Sequence, residues 1–274
     1  MSDLEVLITG SSRPQLWPIF WESFKKMCVI RKPYEVIAHE DFVFPEESNK
    51  VITYLEDLKS KNEIHTIDTD RPPKGLGHCM NHYITKRLTA KYVFYLQEDW
   101  YMERPVDIDQ IMWVMDQNPK INLIFFNKIR NVGSINHQEQ KEFTYSGLKM
   151  CLYHAWPFLP GIWRTDFARK RWVYRKDHPE GAMTNAFGTH NQRTSVDYCV
   201  DNIGAYIYGP QGDSRYVRHL GNDWRMASWR LEAGRPGGNH NSLTMDKNYM
   251  APWVPYPIFP TQRGDLAEVP EVVE

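Results

Sequence analysis

The sequence predicts one α/β domain built on a mostly parallel β-sheet that is flanked by helices. Short apolar runs alternate with helical periodicities through the first half of the 274-residue chain. The runs that begin at Tyr92 and Ile121 are nearly continuous, which is typical of strands covered on both faces. The chain is 42% hydrophobic, which suffices for a sizeable core. These three observations together favour a layered fold with helices on both sides of a sheet.

Five apolar runs in the first half predict strands, at residues 4–8, 34–38, 64–67, 92–96 and 121–126. Four periodic sets of apolar residues predict the helices between them: Leu16, Phe20, Phe24 and Met27; Val51, Leu55 and Leu58; Met80, Ile84 and Leu88; and Ile108, Ile111, Met112 and Met115. Alternating strands and helices give right-handed crossovers and a parallel sheet. Because ligands of such sheets bind at the carboxyl ends of the strands, we expect a site in the loops after Ile8, Ala38, Ile67 and Leu96.

The second half is less regular and is rich in Trp, Tyr, Arg, Gly and Pro. Its pattern predicts helices near residues 165–174 and 195–203 and a strand near residues 205–208. Residues 235–274 carry many Pro and Gly and little periodicity, which predicts an irregular extension. The predicted organisation is one domain over residues 1–234, with halves 1–127 and 128–234, followed by the extension over residues 235–274.

The charge and cysteine content exclude several classes of protein. Lys and Arg number 33 and Asp and Glu number 34, so the net charge of −1 argues against a protein that coats nucleic acid with its whole surface. No apolar run approaches the roughly 20 residues of a spanning helix. The acidic N-terminus does not resemble a signal peptide, and the four cysteines lie far apart. These features predict a cytoplasmic protein with no membrane span and with reduced thiols.

The most informative segment covers residues 91–102, where a predicted buried strand ends in Gln97, Glu98 and Asp99. Carboxylates at the mouth of a parallel sheet are well placed to hold a hard divalent cation. Such a cation can neutralise the phosphate oxygens of a leaving group. The alternative is that Glu98 and Asp99 begin the loop and cap the next helix.

The segment resembles the strand and acidic motif of the GT-A glycosyltransferases, close to the family-2 nucleotide-sugar transferases. Other segments resemble motifs of that group in the same order: residues 7–14 (LITGSSRP), 34–41 (YEVIAHED), 74–81 (KGLGHCMN) and 217–221 (VRHLG). The resemblance covers roughly residues 4–221, and it rests on the order and spacing of motifs that are individually weak. It implies a GT-A-type, Rossmann-like sheet with an irregular acceptor-side portion towards the C-terminus.

The resemblance also implies roles for individual residues. Thr9, Ser11, Arg13 and Asp41 are expected to hold the base and ribose of a nucleotide sugar. The glycine-rich loop adds the donor-binding candidates Arg71, Lys74, Gly75 and Asn81, whose alternative is a flexible loop with solvated charges. Gln97 replaces the first Asp of the motif and can hydrogen-bond a ribose hydroxyl. Glu98 is expected to face the donor, whereas Asp99 and His219 are expected to bind Mn²⁺ or Mg²⁺.

The second half is expected to supply the general base and the acceptor site. Glu180 is the first candidate for the base and Asp177 the second, with exposed loop carboxylates as the alternative. A basic run beginning at Trp163 supplies four acceptor candidates on one predicted helix: Trp163, Arg164, Arg171 and Arg175. The alternative for these residues is a solvated helix face.

The sequence therefore predicts a metal-dependent hexosyl- or pentosyltransferase that uses a nucleotide diphosphate sugar. The resemblance favours a uridine diphosphate sugar and inversion at the sugar carbon. The acceptor is either a glycan or a hydroxymethylated base in DNA, which would make the chain a DNA-modifying enzyme. A non-catalytic sugar- or nucleotide-binding module is the alternative, and Gln97 is the feature that favours it. The sequence leaves open which sugar is transferred and the oligomeric state.

Overall fold

The computed structural model describes residues 2–127, 134–135, 138–139, 141–174, 179–186 and 195–220. The predicted site residues Asp177 and Arg175 and the extension over residues 235–274 lie outside the described residues. For Glu180 the backbone alone is described. The domain boundaries given above stay a prediction.

The strands of the described residues are short and most are buried. In chain order they are β1 (Leu4–Gly10), β2 (Cys28–Val29), β3 (Tyr34–Asp41), β4 (Thr66–Asp70), β5 (Tyr92–Gln97), β6 (Trp100–Met102), β7 (Val106–Asp107), β8 (Leu123–Phe125), β9 (Ser134–Ile135), β10 (Gln138–Glu139), β11 (Glu142–Tyr145), β12 (Leu148–Tyr153), β13 (Gly161–Arg164), β14 (Ala205–Tyr208) and β15 (Val217–His219).

The helices alternate with the strands in the first half of the chain, as the periodicities predict. They are α1 (Leu16–Met27), α2 (Pro45–Ser60), α3 (Leu76–His82), α4 (Ile108–Gln117), α5 (Thr165–Arg171), α6 (Pro179–Ala186) and α7 (Val196–Tyr198). Short π-helical segments continue α3 over Tyr83–Arg87 and α7 over Cys199–Ile203. None of the helices in the described residues combines the length and the apolar character needed to cross a membrane.

In the described part of the chain, nine strands form one sheet in the order β11-β12-β14-β8-β13-β5-β1-β3-β4. The neighbours β5, β1, β3 and β4 are parallel, as the sequence predicts for the first half. The second half makes the sheet mixed, because β13 lies antiparallel between β5 and β8. Strands of both halves therefore share one sheet.

The core lies on both faces of this sheet. Every residue of β1 is buried, as are the first five residues of β5. Helix α1 covers one face with a stripe of large side chains at Trp17, Phe20 and Phe24, and Phe24 packs against Phe94 of β5 at 6.0 Å between ring centroids. The parallel strands are thus packed within the core, and their carboxyl ends meet at one edge of the sheet.

Candidate active site

A cavity of about 680 Å³ lies at the carboxyl ends of β5, β1 and β3. The register sets Thr9 of β1 beside both Gln97 of β5 and His39 of β3, so the polar residues that follow each strand converge. Nine of the predicted site residues line this cavity: Thr9, Ser11, Arg13, Asp41, Lys74, Gly75, Gln97, Glu98 and Asp99. The structure thus brings together all four loops that the sequence predicts as the place of a ligand site.

Arg13 holds the two carboxylates of the acidic motif from the neighbouring loop. Its Nε donates to Oε1 of Glu98 and its Nη1 donates to Oδ2 of Asp99, each at 2.7 Å. Glu98 and Asp99 are both 1% exposed. The backbone N–H of Ser11 also donates to Oε1 of Glu98, at 3.0 Å. A buried carboxylate destabilises the fold unless it is paired. The pairing with Arg13 therefore stabilises both acids at this edge of the sheet.

The loop that carries Arg13 is itself fastened by a buried carboxyl group, Glu40 of β3. Oε1 of Glu40 accepts from the backbone N–H of Ser12 at 2.6 Å and from the hydroxyl of Ser48 at 2.7 Å. Ser12 has a φ of 54°, a left-handed conformation that is uncommon for residues with a side chain. A Cβ on Gly10 would lie 2.9 Å from Oε2 of Glu40, so the loop needs glycine there. Glu40 therefore supports the strained turn that aims Arg13.

Burial changes the protonation of both glutamates. Burial raises the pKa of Glu98 to about 7, although the charge of Arg13 opposes this. Burial also raises the pKa of Glu40 to about 8, with the hydrogen bond from Ser48 acting in the other direction. Raised carboxyl pKa values beside a cavity are more common at functional sites than elsewhere.

Asp41 holds the glycine-rich loop, which forms another wall of the cavity. Its two carboxylate oxygens accept the backbone N–H groups of Lys74 and Gly75, at 2.9 and 3.0 Å. Gly75 has a φ of 83°, and a Cβ there would have no neighbour within 4 Å, so the backbone conformation is what requires glycine. The ammonium group of Lys74 pairs with Asp70 at 2.7 Å. The glycine-rich loop is thus held against β3 rather than left free.

His219 reaches the site through a small separate sheet. Strand β15 pairs antiparallel with β6, and the pairing sets His219 directly across from Trp100, the residue after Asp99. The imidazole stacks on the Trp100 ring with centroids 4.3 Å apart, and its Nε2 lies 3.1 Å from Oδ2 of Asp99. The predicted pair of Asp99 and His219, 120 residues apart in sequence, is therefore in contact.

The contact between Asp99 and His219 fits part of a divalent metal site. Two ligands at about 2.1 Å from one cation, at a right angle, are about 3 Å apart, close to the observed separation. A carboxylate and an imidazole suit Mn²⁺. Oε2 of Glu98 is buried, and no described residue hydrogen-bonds to it. Among the described residues, no group of three or more His, Cys, Asp and Glu side chains is placed to hold a metal ion.

Two predicted donor-binding residues lie away from the cavity lining. The exposed guanidinium of Arg71 lies 3.5 Å from the centre of the buried Phe42 ring. Oδ1 of Asn81 accepts the indole N–H of Trp172 at 2.9 Å, so this side chain ties α3 to the segment after α5. The structure does not bring either residue together with the others, and their donor-binding role stays a prediction.

The acceptor candidates of the basic run do not form a helical stripe, which corrects the prediction. Trp163 and Arg164 belong to β13, not to a helix, because α5 begins only at Thr165. Trp163 is fully buried and packs on Tyr95 at 5.0 Å. Arg164 donates hydrogen bonds to the backbone carbonyls of Ile121 and Met115. Arg171 lies exposed on α5, beside the Phe167 ring at 5.8 Å.

Several residues of the site were not predicted from the sequence. His39 lines the cavity, Glu40 and Ser48 hold the Arg13 loop, and the Trp100 ring stacks against the His219 imidazole. The signal for His39 and Glu40 was present, since β3 ends in three polar residues, much as β5 ends in Gln97 and is followed by Glu98 and Asp99. The roles of Ser48 and Trp100 follow from packing between elements, for which the sequence carries no local signal.

No protein-family model matches the sequence, and no curated protein matches it significantly. Solved structures match by shape. S. aureus TarS superposes with a TM-score of 0.52 at 12% identity, covering 88% of this chain and 41% of that one. GalNAc-T7, crystallised with UDP, GalNAc and Mn²⁺, superposes with a TM-score of 0.55 at 11% identity, covering 87% of this chain and 52% of that one. A shorter TarS chain, residues 1–349, was solved with UDP-GlcNAc and gives a TM-score of 0.51 at 10% identity, covering 88% of this chain and 69% of that one.

These matches confirm the predicted fold: the chain is similar to GT-A glycosyltransferase structures over most of its length. The chain spans about two fifths of the TarS chain and about half of the GalNAc-T7 chain.

Proposed function

We propose that the chain is a glycosyltransferase that moves a sugar from a nucleoside diphosphate to an acceptor hydroxyl. The observation that carries the proposal is the cavity in which Arg13, Glu98 and Asp99 meet the glycine-rich loop. Its volume of about 680 Å³ is within the range of pockets for small ligands and cofactors. TarS with UDP-GlcNAc and GalNAc-T7 with UDP support a uridine diphosphate sugar as the donor.

A divalent cation, Mn²⁺ or Mg²⁺, would be held by Asp99 and His219. When bound, it would neutralise charge that develops on the departing diphosphate. The Mn²⁺ in the GalNAc-T7 structure supports this requirement. Arg13 donates to the same oxygen of Asp99 that faces His219, so it fixes the orientation of this carboxylate.

The chain's own groups would bind the donor along the strand ends. Small residues of the loops after β1 and β4 allow close approach of the diphosphate. Gln97, whose amide nitrogen donates to the Tyr95 hydroxyl at 2.6 Å, leaves its carbonyl oxygen to accept from a ribose hydroxyl. Lys74 lines the cavity, with its ammonium group paired to Asp70. Each contact orients the sugar carbon towards the acceptor side.

In the proposed transfer, the acceptor oxygen forms a bond to the anomeric carbon while the bond from that carbon to the phosphate oxygen breaks. The acceptor proton passes to a carboxylate, and the electron pair leaves with the nucleoside diphosphate. Glu180, at the second position of α6, is our candidate for this base, and Asp177 is the second. The family resemblance supports inversion.

For the acceptor, we propose a hydroxyl group without choosing between a glycan and a hydroxymethylated DNA base. The basic run gave the main reason for a nucleic acid. Trp163 and Arg164 serve the fold instead, which weakens that reason.

The test combines a nucleotide panel with one variant. UDP with Mn²⁺ is expected to raise the melting temperature of the parent, because ligands that bind the native state stabilise it. Asp99→Asn should abolish the Mn²⁺-dependent part of this increase and lower transfer by about 10²–10³-fold, the usual effect of lost electrostatic stabilisation. Asp166→Asn on the exposed start of α5 is the matched control and should change neither quantity. Binding of UDP-sugars without transfer or donor hydrolysis would identify a non-catalytic binding module, and no binding of any nucleotide would refute the proposal.

A further inference from the structure

Trp100 lies between the two candidate metal ligands, next to Asp99 in the chain and against His219 in space. It is 2% exposed, and its ring is nearly parallel to the imidazole of His219, at an angle of 13° and with the centroids 4.3 Å apart. The His219 side chain itself is 16% exposed. Because the lone pair with which an imidazole binds a metal lies in the plane of the ring, the stacking fixes the plane in which a cation at Nε2 of His219 must lie.

Strand β6, which contains Trp100, is attached to the core through helix α1. The backbone N–H of Met102, in the same strand, donates to the hydroxyl oxygen of Ser23 at 3.1 Å. That hydroxyl in turn donates to the carbonyl of Phe20, one turn earlier in α1, at 2.8 Å. Met102 and Ser23 are both buried. The indole ring of Trp100 therefore has a fixed position relative to the sheet.

Strand β15, which contains His219, is joined to the segment after β6 by a buried ion pair. The guanidinium of Arg215 donates to both carboxylate oxygens of Glu103, at 2.6 and 3.1 Å, and the Arg215 side chain is 5% exposed. The backbone N–H of Glu103 donates to the carbonyl of Tyr216 at 2.9 Å. A bidentate pair of this kind has a defined geometry, so it holds the two segments in one relative position and brings His219 to Trp100.

The second ring nitrogen of His219 does not make the contact that usually orients a metal-binding histidine. Such histidines commonly donate that N–H to a carboxylate or a backbone carbonyl. Nδ1 of His219 is buried and has no hydrogen-bond partner in the part of the chain that the structure describes. The orientation of the imidazole is therefore determined by Asp99 at Nε2 and by the ring of Trp100.

We propose that Trp100 is a positioning residue of the metal site, whose ring holds the His219 imidazole in the plane that lets Nε2 and Asp99 bind one divalent cation. The proposal rests on the function proposed above, because it requires a cation between Asp99 and His219. Removal of the groups that orient a metal ligand typically lowers metal affinity by about tenfold to a hundredfold. We expect an effect of this size from Trp100, although its indole supplies no ligand atom.

Electron paramagnetic resonance of free Mn²⁺ measures metal affinity without a transfer assay. In the presence of UDP, Trp100→Leu should bind Mn²⁺ about tenfold to a hundredfold more weakly than the parent. Trp100→Phe keeps an aromatic ring and should retain most of the affinity. Trp156→Leu is the matched control, because it removes another buried tryptophan, which stacks on Phe167 of α5, and it should bind Mn²⁺ as the parent does. Parent affinity in Trp100→Leu would overturn the proposal.

A double-mutant cycle tests whether Trp100 acts through His219. His219→Ala alone should weaken Mn²⁺ binding. Addition of Trp100→Leu to that variant should weaken it no further, because the imidazole that the indole holds is then absent. If the two effects add, Trp100 acts by another route and the positioning role is wrong.

A measurement on the parent protein takes the place of these variants if Trp100→Leu does not fold. The ring current of the indole should move the ring-proton resonances of His219 upfield, and Mn²⁺ added with UDP should broaden them. His65 is exposed and precedes β4, at the amino-terminal edge of the parallel strands, so its resonances should stay sharp. A His219 signal without an upfield shift, or one that stays sharp when Mn²⁺ is bound, would contradict the proposal.

The outcomes separate this inference from the proposed function. If the parent binds UDP but His219→Ala binds Mn²⁺ as the parent does, the positioning role of Trp100 fails while the glycosyltransferase proposal stands. If the parent binds no nucleotide, with or without Mn²⁺, the proposed function fails and this inference fails with it.

Discussion

Two regions of this molecule contain buried or half-buried arginines, and the arginines of the two regions bond to different kinds of acceptor. In the strand-end loops, Arg13 faces two carboxylates, Glu98 and Asp99. In the basic segment, residues 163–174, Arg164 and Arg169 face backbone carbonyls instead. Arg169 donates to the carbonyls of Ile84 and Leu88, at the end of the π-helical segment after α3.

The difference shows that the acceptors an arginine bonds to, and not the arginine itself, indicate whether it supports the fold or lines the cavity. Carbonyls at a helix end are orphan acceptors, and an arginine that binds them caps the helix. Such an arginine has its donors occupied and is fixed within the fold. Arg13 instead holds two buried acids that line the cavity at the strand ends. The first arrangement stabilises the fold, and the second places two carboxyl groups in the lining of the cavity.

The largest effect should come from replacing Arg13, and the same substitution at Arg164 of the basic segment serves as the comparison. Arg13→Met leaves two buried carboxylates without their cation, so we expect the free energy of unfolding to fall by about 3–5 kcal/mol. Nucleotide binding should be lost as well. Arg164→Met should lower the free energy of unfolding by about 1–3 kcal/mol, the cost of unsatisfied carbonyls, and leave nucleotide affinity unchanged. Urea unfolding and calorimetry with UDP measure the two effects.

Should Arg13→Met fail to fold, Arg13→Lys serves in its place, since it keeps the charge but not the fork that reaches both acids. The comparison breaks down if Arg164→Met weakens UDP binding as strongly as Arg13→Lys does.

A smaller effect should appear in the pH dependence of stability. The pKa of Glu40 is raised by burial from 4.5 to about 8, so the folded state holds this proton more tightly than the unfolded chain does. Unfolding therefore releases it, and the free energy of unfolding should fall as the pH rises through the interval between these two values. Glu40→Gln keeps an acceptor for Ser12 and Ser48 and removes the titration. The difference in stability between variant and parent should shift by about 2 kcal/mol or more between pH 5 and pH 8.5, since one pKa unit is worth about 1.4 kcal/mol.

The control for this experiment is Glu35→Gln, on an exposed residue at the start of the same strand. Its pH profile should run parallel to the parent's. A parallel profile for Glu40→Gln as well would contradict the raised pKa.

The smallest effect is expected for Arg171, the exposed member of the basic segment. Arg171→Glu should change the free energy of unfolding by no more than about 0.5 kcal/mol and leave donor affinity unchanged, because the side chain is at the surface of α5. Acceptor affinity should also be unchanged for a glycan. If the variant loses affinity for a DNA acceptor, and the parent's affinity falls steeply with salt, the nucleic-acid acceptor gains support.

Much of the fold could be predicted because its signals are local. The period of apolar residues predicted α1, α2 and α4, and the strand over residues 205–208 coincides with β14. The error at Trp163 arose because a short buried strand running into a helix of seven residues looks like one longer helix in the sequence. Aromatic and basic residues fit either pattern, and pairing with β5 and β8 decided for the strand.

For the candidate site, the sequence by itself determined which loops meet and which carboxylates end the strands, because parallel strands must present their carboxyl ends at one edge. Only the tertiary structure decided what each polar side chain faces. Asp99 and His219 meet through the pairing of β6 and β15, and Glu40 supports the Arg13 loop through contacts with Ser12 and Ser48. The physical reason is one of range: the hydrophobic period acts over a few neighbouring residues, whereas hydrogen bonds and charges act between atoms that only the folded chain brings within about 3 Å of each other.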